Sequence, residues 1–242
     1  MARRLRDNGY IVRKAVLPPA AVSSVADYRP YVNDWAIHSP WLSDPDIQRV
    51  FGITLVSADR LWILKTAVLQ TCGLAGEVWE LGVYKGGTAQ LLRKTLEQAV
   101  QGGGRAATLR LFDTFGGMPT TDMSRDLHVA GHFADTSLEA VRRLVGDAPW
   151  IDFRQGFIPD TCAGLEGSAI RFAHVDLDIY QSILAACEFV YPRLVPGGLM
   201  VFDDYGFWSC PGAREAVDEF FSARPEAPFA LPTGQALVAK LP

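Results

Sequence analysis

Residues 170–207 read IRFAHVDLDIYQSILAACEFVYPRLVPGGLMVFDDYGF. Two apolar, strand-like runs at 170–175 and 199–202 enclose a helical run at 180–194, with PGG as the helix exit. Strand, helix, strand in this order is a crossover unit, and its two strands run parallel in one sheet. Each strand ends in two acids, Asp176 and Asp178 after the first, Asp203 and Asp204 after the second. Parallel strands bring their carboxyl ends to one edge of the sheet, and that edge is where ligands bind. Four carboxylates gathered there repel one another unless something relieves them. A divalent metal, a cationic substrate or shared protons would each do so, and a metal is the first expectation.

Upstream the alternation continues. Residues 57–74 read as a helix with Ser57 at its N-cap, Arg60 in its first turn and Gly73 as its stop. GEVWELGVYKGGTAQLLRKTL follows: a buried strand at 78–81, a glycine turn at 82–87 and a helix from Thr88. Glycines let backbone approach a ligand closely, and the helix start offers unpaired N–H groups to a carboxylate or phosphate. A strand at 108–112 ends in Asp113, an acid placed to accept both hydroxyls of a ribose. The long polar run TFGGMPTTDMSRDLHVAGHFADT reads as a loop over the site, with His128 and His132 as surface histidines able to reach substrate. Thr136 or Ser137 caps the helix SLEAVRRLV, and a third strand at 150–154 leads into the turn QGFIPDT. Pro211 opens a helix to about residue 223, and GQALVAK supplies a last strand. The pattern is α/β: a Rossmann-like, mostly parallel, seven-stranded doubly wound sheet. Residues 57–242 form one domain, and residues 1–56, aromatic-rich (Tyr28, Tyr31, Trp35, Trp41) and punctuated by prolines that argue against long regular elements, form a helical or irregular cap.

Bulk properties remove several classes. A net charge of -4 provides no basic face for nucleic acid. No apolar run approaches the ~20 residues of a membrane span. Arg3, Arg4, Arg6, Arg13 and Lys14 read as a solvated tail, since no signal-peptide apolar region follows them. Cys72, Cys162, Cys187 and Cys210 show no CxxC spacing and read as reduced thiols of a cytoplasmic protein, not as a disulfide framework or a zinc site.

The glycine turn ELGVYKGG is not the GxGxxG of a dinucleotide enzyme, GKS and GKT are absent, and there is no GxSxG elbow. Glu80 beside the turn suits an ammonium group and Asp113 suits a ribose. Together they match the two ends of S-adenosylmethionine.

ELGVYKGG, LFDTFGGMP, RQGFIPDT, HVDLDIYQS, YPRLVPGG and VFDDYGF occur in this order, and the set resembles the macrocin O-methyltransferase family from about residue 57 onward. The resemblance implies a class I methyltransferase fold using S-adenosylmethionine and magnesium to methylate a hydroxyl of a sugar or other small natural product. By position it implies magnesium ligands at Asp176, Asp203 and Asp204. Asp178 would be the general base that takes the hydroxyl proton, with His174 as the rival base or a core histidine. Glu80, Gly82, Tyr84, Gly86, Gly87 and Thr88 would surround the methionine end. Asp113 would bind the ribose, Thr114 and Phe115 would lie beside the adenine, and Gln155 and Gly156 would close its pocket. A homo-oligomer is also implied. Leu177 departs from the family, where glycine is common between the two acids. A catechol or phenol acceptor, and a non-catalytic nucleotide-binding protein, are the alternatives carried forward.

Overall fold

The structure, a computed structural model, describes residues 40–242. The expectations for the basic tail and for Tyr28, Tyr31 and Trp35 lie outside the described residues.

Residues 40–56 carry only short regular elements. They hold α1 (Pro40–Ser43) and α2 (Pro45–Val50). Pro40 and Pro45 start these helices, because proline at the first helical position gives up an N–H that has no partner there anyway. Asp44 caps α2, its Oδ1 accepting from the N–H groups of Asp46 and Ile47, while its Oδ2 takes a bond from Lys65. Helix α3 (Ala58–Gln70) follows. Ser57 stands at its N-cap position, but its hydroxyl bonds the side chains of Asp59 and Arg60 and caps no backbone N–H.

From there strand and helix alternate: β1 (Glu77–Leu81), α4 (Gly87–Gln101), β2 (Leu109–Asp113), α5 (Leu138–Val145), β3 (Ile151–Gln155), β4 (Ile170–Val175), α6 (Tyr180–Val190), β5 (Leu194–Phe202), α7 (Pro211–Phe221), β6 (Phe229–Ala230) and β7 (Ala236–Ala239). The seven strands lie in the order β3-β2-β1-β4-β5-β7-β6. β1 to β5 are parallel, and β7 and β6 turn back antiparallel at the edge. Three details differ from the sequence reading. The helix expected over 180–194 stops at Val190, where Pro192 lies just ahead and has no N–H for a helical bond. PGG is not a helix exit but part of β5, accommodated by a register irregularity against β4. The short strand β6 was not anticipated.

Side chains alternate across the sheet, so each face has its own core. Trp79, Leu81, Phe112 and Val175 pack on one face with α6 and α7. Val78, Leu111, Phe172 and Val201 pack on the other with α2, α3 and α4, Ile47, Val50 and Val56 among them. The strand order reverses between β1 and β4, and a crevice opens at their carboxyl ends.

Candidate active site

At that crevice the backbones of β1 and β4 come together. Gly82 has φ 94°, and a Cβ there would lie 1.7 Å from the carbonyl oxygen of Asp176. No other residue fits. The turn then leads into α4 through Gly86, whose φ of 83° is left-handed, and among the described residues no side chain caps the helix. Asp113 at the end of β2 folds over the turn: its Oδ2 accepts from the N–H groups of Val83 and Tyr84, both at 2.7 Å. Its Oδ1 takes the N–H of Phe115 at 2.7 Å.

A cavity of about 300 Å³ lies over these ends. Among the residues expected from the sequence, Gly82, Tyr84, Gly87, Thr88, Asp113, Thr114, Gly156, Asp176, Asp178, Asp203 and Asp204 line it. Leu177 lines it as well, with its strand intact as far as Val175. Glu80, Gly86, Phe115, Gln155 and His174 do not. Gln155 reaches across to the carbonyl of Thr114, and Phe115 is buried in the core. The loop 114–137 carries no helix and no strand, and it covers the cavity with Met118, Pro119, His128 and Phe133. Asp126 anchors the loop by accepting the N–H of Tyr180 at the start of α6.

Below the cavity floor lies a buried polar layer. His174 is 0% exposed, with Nδ1 3.3 Å from Glu80 Oε1 and Nε2 3.5 Å from Asp203 Oδ1. Burial alone would depress its pKa, but the two carboxylates outweigh that and hold it up at about 9. Glu80 is equally buried, its pKa is raised by burial, and its Oε2 has no hydrogen-bond partner among the described residues.

The four acids are not equivalent. Asp203 is paired: Arg60 Nη1 bonds Oδ2, and Gln235 donates to Oδ1 at 2.8 Å. Burial would raise its pKa, yet His174, Arg60 and Gln235 together hold it below the usual range. Asp176 and Asp204 are pushed well above that range, first by burial and then by their carboxylate neighbours. Asp178 is also raised by burial, with His128 opposing. Its backbone sits at φ 59°, a left-handed conformation unusual for a side chain other than glycine, and its N–H bonds Asp204 Oδ2 at 3.1 Å. Neither Asp203 nor Asp204 caps α7, whose N-cap position is Cys210.

Sequence reading missed Arg60, which reaches from the first turn of α3 to Asp203, to the Leu55 carbonyl at 2.9 Å and over the Phe207 ring at 4.8 Å. A signal existed. A cation in the first turn opposes the helix dipole, so it needs a reason to be there. Cys210 and Phe207, also in the cavity wall, had no comparable signal.

The donor set suits the groups the site was expected to hold. Asp176, Asp203 and Asp204 present hard oxygen ligands of the kind magnesium takes. Burial and the neighbouring carboxylates raise the pKa of Asp176 and Asp204, and a cation among the acids would relieve both. The uncapped start of α4, beside Gly82 and Asp113, is a cradle that side chains would otherwise fill.

The sequence profile of the family described as Macrocin-O-methyltransferase (TylF) matches residues 26–227. The chain is 30% identical over 182 residues to the 8-demethyl-8-(2,3-dimethoxy-alpha-L-rhamnosyl)-tetracenomycin-C 4'-O-methyltransferase of Streptomyces olivaceus, covering 69% of this chain and 67% of that protein. It is also 30% identical over 182 residues to the mycinamicin III 3''-O-methyltransferase of Micromonospora griseorubida, covering 69% of each. Among solved structures, the O-methyltransferase NovP superposes with a TM-score of 0.67 at 24% identity, over 78% of this chain and 83% of that one. The motif order, the sheet and the family match over most of the chain agree: this protein belongs to the macrocin O-methyltransferase family and is an S-adenosylmethionine-dependent O-methyltransferase.

Proposed function

We propose that the chain methylates a free hydroxyl of a sugar on a glycosylated natural product, with magnesium held by Asp176, Asp203 and Asp204. One observation carries this reading: the four acids line one cavity with Gly82 and Asp113. A relative whose name places the methyl on the 4'-O of a rhamnosyl-bearing tetracenomycin supports the substrate class.

An alcohol is a weak nucleophile because it keeps its proton far above neutral pH. Magnesium supplies positive charge that lowers the pKa of an acceptor hydroxyl. Asp178, with its carboxyl at the cavity wall and its pKa raised by burial, takes that proton as general base. Asp113 accepts from the ribose of the donor. Its two oxygens already take three backbone N–H bonds, which leaves room for more, since a carboxylate has about four lone-pair sites. Gly87 and Thr88 at the open start of α4 receive the donor's carboxylate. Met118, Phe133, Phe157 and Ile158 exclude water from the reacting atoms. His174, walled off beneath the floor, holds Asp203 in place instead of meeting the acceptor.

The rival acceptor is a catechol or phenol, favoured by the aromatic side chains of Phe133, Phe157 and Phe207 in the same wall. Calorimetric titration of S-adenosylmethionine, and separately of magnesium, into wild type and Asp176→Asn tests the reading. We expect the donor to bind both proteins and the magnesium heat to disappear only in the variant. No donor binding to wild type would sink the proposal at its base. A panel of deoxysugar glycosides and catechols then separates the two acceptor classes by which one turns over.

A further inference from the structure

Spacing in the sequence argued against a zinc site, yet the fold gathers three ligand types from distant positions. Cys210 Sγ lies 3.6 Å from His128 Nε2 and 3.6 Å from Asp178 Oδ1. His128 Nε2 lies 3.7 Å from the same Asp178 oxygen. The three atoms form a nearly equilateral triangle, and all three residues line the cavity. We propose that Cys210, His128 and Asp178 form a second metal site, for a borderline-soft divalent ion of the zinc class, with its fourth position open to the cavity.

The spacing is the first argument. A histidine simply hydrogen-bonded to a carboxylate closes to about 2.8 Å, whereas His128 Nε2 stays 3.7 Å from Asp178 Oδ1, and the thiol of Cys210 makes a 3.6 Å contact with each of them. Tetrahedral zinc, with bonds of about 2.3 Å to sulfur and about 2.0–2.1 Å to nitrogen or oxygen, sets its ligands about 3.6 Å apart where sulfur is one partner and about 3.4 Å apart otherwise. The two sulfur distances already match, and the third needs only a small closure. The second argument is the orientation of the imidazole. His128 Nδ1 lies 3.0 Å from His132 Nδ1, so the far nitrogen is engaged and Nε2 is the one turned toward Cys210 and Asp178. A ligating histidine ordinarily has its other ring nitrogen held in this way. Thiolate and imidazole are poor partners for magnesium, so this site and the all-carboxylate site would select different ions.

Coordination replaces the thiol proton of Cys210, which passes to solvent, and no electrons move. The consequence rests on the proposed function: an ion on Asp178 Oδ1 removes that oxygen from proton acceptance. Zinc then inhibits methyl transfer, and a chelator restores it.

Cobalt(II) serves as the probe, since a thiolate ligand gives it a near-ultraviolet charge-transfer band that carboxylates do not. Titrated into the full chain without donor or magnesium, we expect the band to saturate at one ion per chain. It should vanish in Cys210→Ser. His132→Ala, which keeps all three ligands, should weaken binding about tenfold to a hundredfold. Thermal melts of both variants establish that they are folded. Absence of the band in wild type, or its survival undiminished in folded Cys210→Ser, overturns the site. The band does not depend on S-adenosylmethionine, so failure of the methyl-transfer reading would leave it standing and remove only the inhibition.

Discussion

Asp203 and Asp204 are neighbours in sequence and opposites in environment. Asp203 has His174, Arg60 and Gln235 around it, which hold its pKa below the usual range against burial; Asp204 is pushed well above that range by burial first and then by Asp178 and Asp203. His174 and Arg60 are therefore the two cations that let one acid of the four remain charged, and Arg60 is the one that reaches it from outside the sheet. Breaking a buried pair from one side leaves an uncompensated charge and costs about 3–5 kcal/mol. Arg60 retains some solvent contact, so Arg60→Ala should fall near the lower end, about 3 kcal/mol in urea unfolding. Added magnesium should recover more stability in this variant than in wild type, because it returns charge to the same carboxylate. A variant within ~0.5 kcal/mol of wild type, the range of ordinary surface changes, would show that Arg60 does nothing there. The acids themselves were legible in the sequence because strand ends must converge at one edge. Their inequality was not, because it depends on which distant side chain arrives: Arg60 from α3, Gln235 from the last hairpin and His128 from the loop.

Legibility at the level of elements follows the same division. Every strand from β1 to β5 was readable as an apolar run with a polar or glycine ending, since a strand covered on both faces has little room for anything else. The departures fell where proline or glycine admits two meanings. Pro40 and Pro45 each start a short helix, and the glycines at 197 and 198 lie inside β5 instead of ending α6. The C-terminal hairpin is held by contacts no local pattern announces. Glu226, just before β6, accepts from the hydroxyl of Tyr191 at 2.5 Å, lies 3.3 Å from Lys240 Nζ and accepts the N–H of Leu241 at 3.2 Å. Burial pushes its pKa up, but these partners outweigh that and hold it at about 2. A depressed acid adds stability above its unfolded pKa of about 4.3, and that stability is lost as pH falls toward the folded value. Glu226→Gln should therefore unfold more readily at neutral pH, by about 1–3 kcal/mol. It should also lose less stability than wild type between pH 5 and pH 2. Parallel acid-unfolding curves for the two proteins would show that Glu226 is not the group responsible.

For the molecule as a whole, two separate cores sit back to back on one sheet, and the cavity lies at the end where both cores stop. Its walls come from segments far apart in sequence: Thr54 and Arg60 ahead of β1, the turn after β1, the loop after β2, the turn after β3 and the acids after β4 and β5. A ligand there touches nearly every crossover connection, so it should stabilise the fold as a unit and not one edge of it. Product binds the native state alone, and at a concentration of one hundred times its dissociation constant it adds about 2.7 kcal/mol. For a chain of this size each kcal/mol moves the melting temperature by about 2–4 °C, so S-adenosylhomocysteine should raise it by about 5–10 °C in a single cooperative transition. NAD should produce no shift, because Gly82, Gly86 and Gly87 do not form the spacing that a pyrophosphate needs. A broadened or split transition with S-adenosylhomocysteine would mean that the ligand holds only the β1–β4 crevice while the rest melts independently. A shift with NAD in its place would put a different nucleotide in the cavity, and no shift at any concentration of S-adenosylhomocysteine would leave the four acids without a methyl donor to serve.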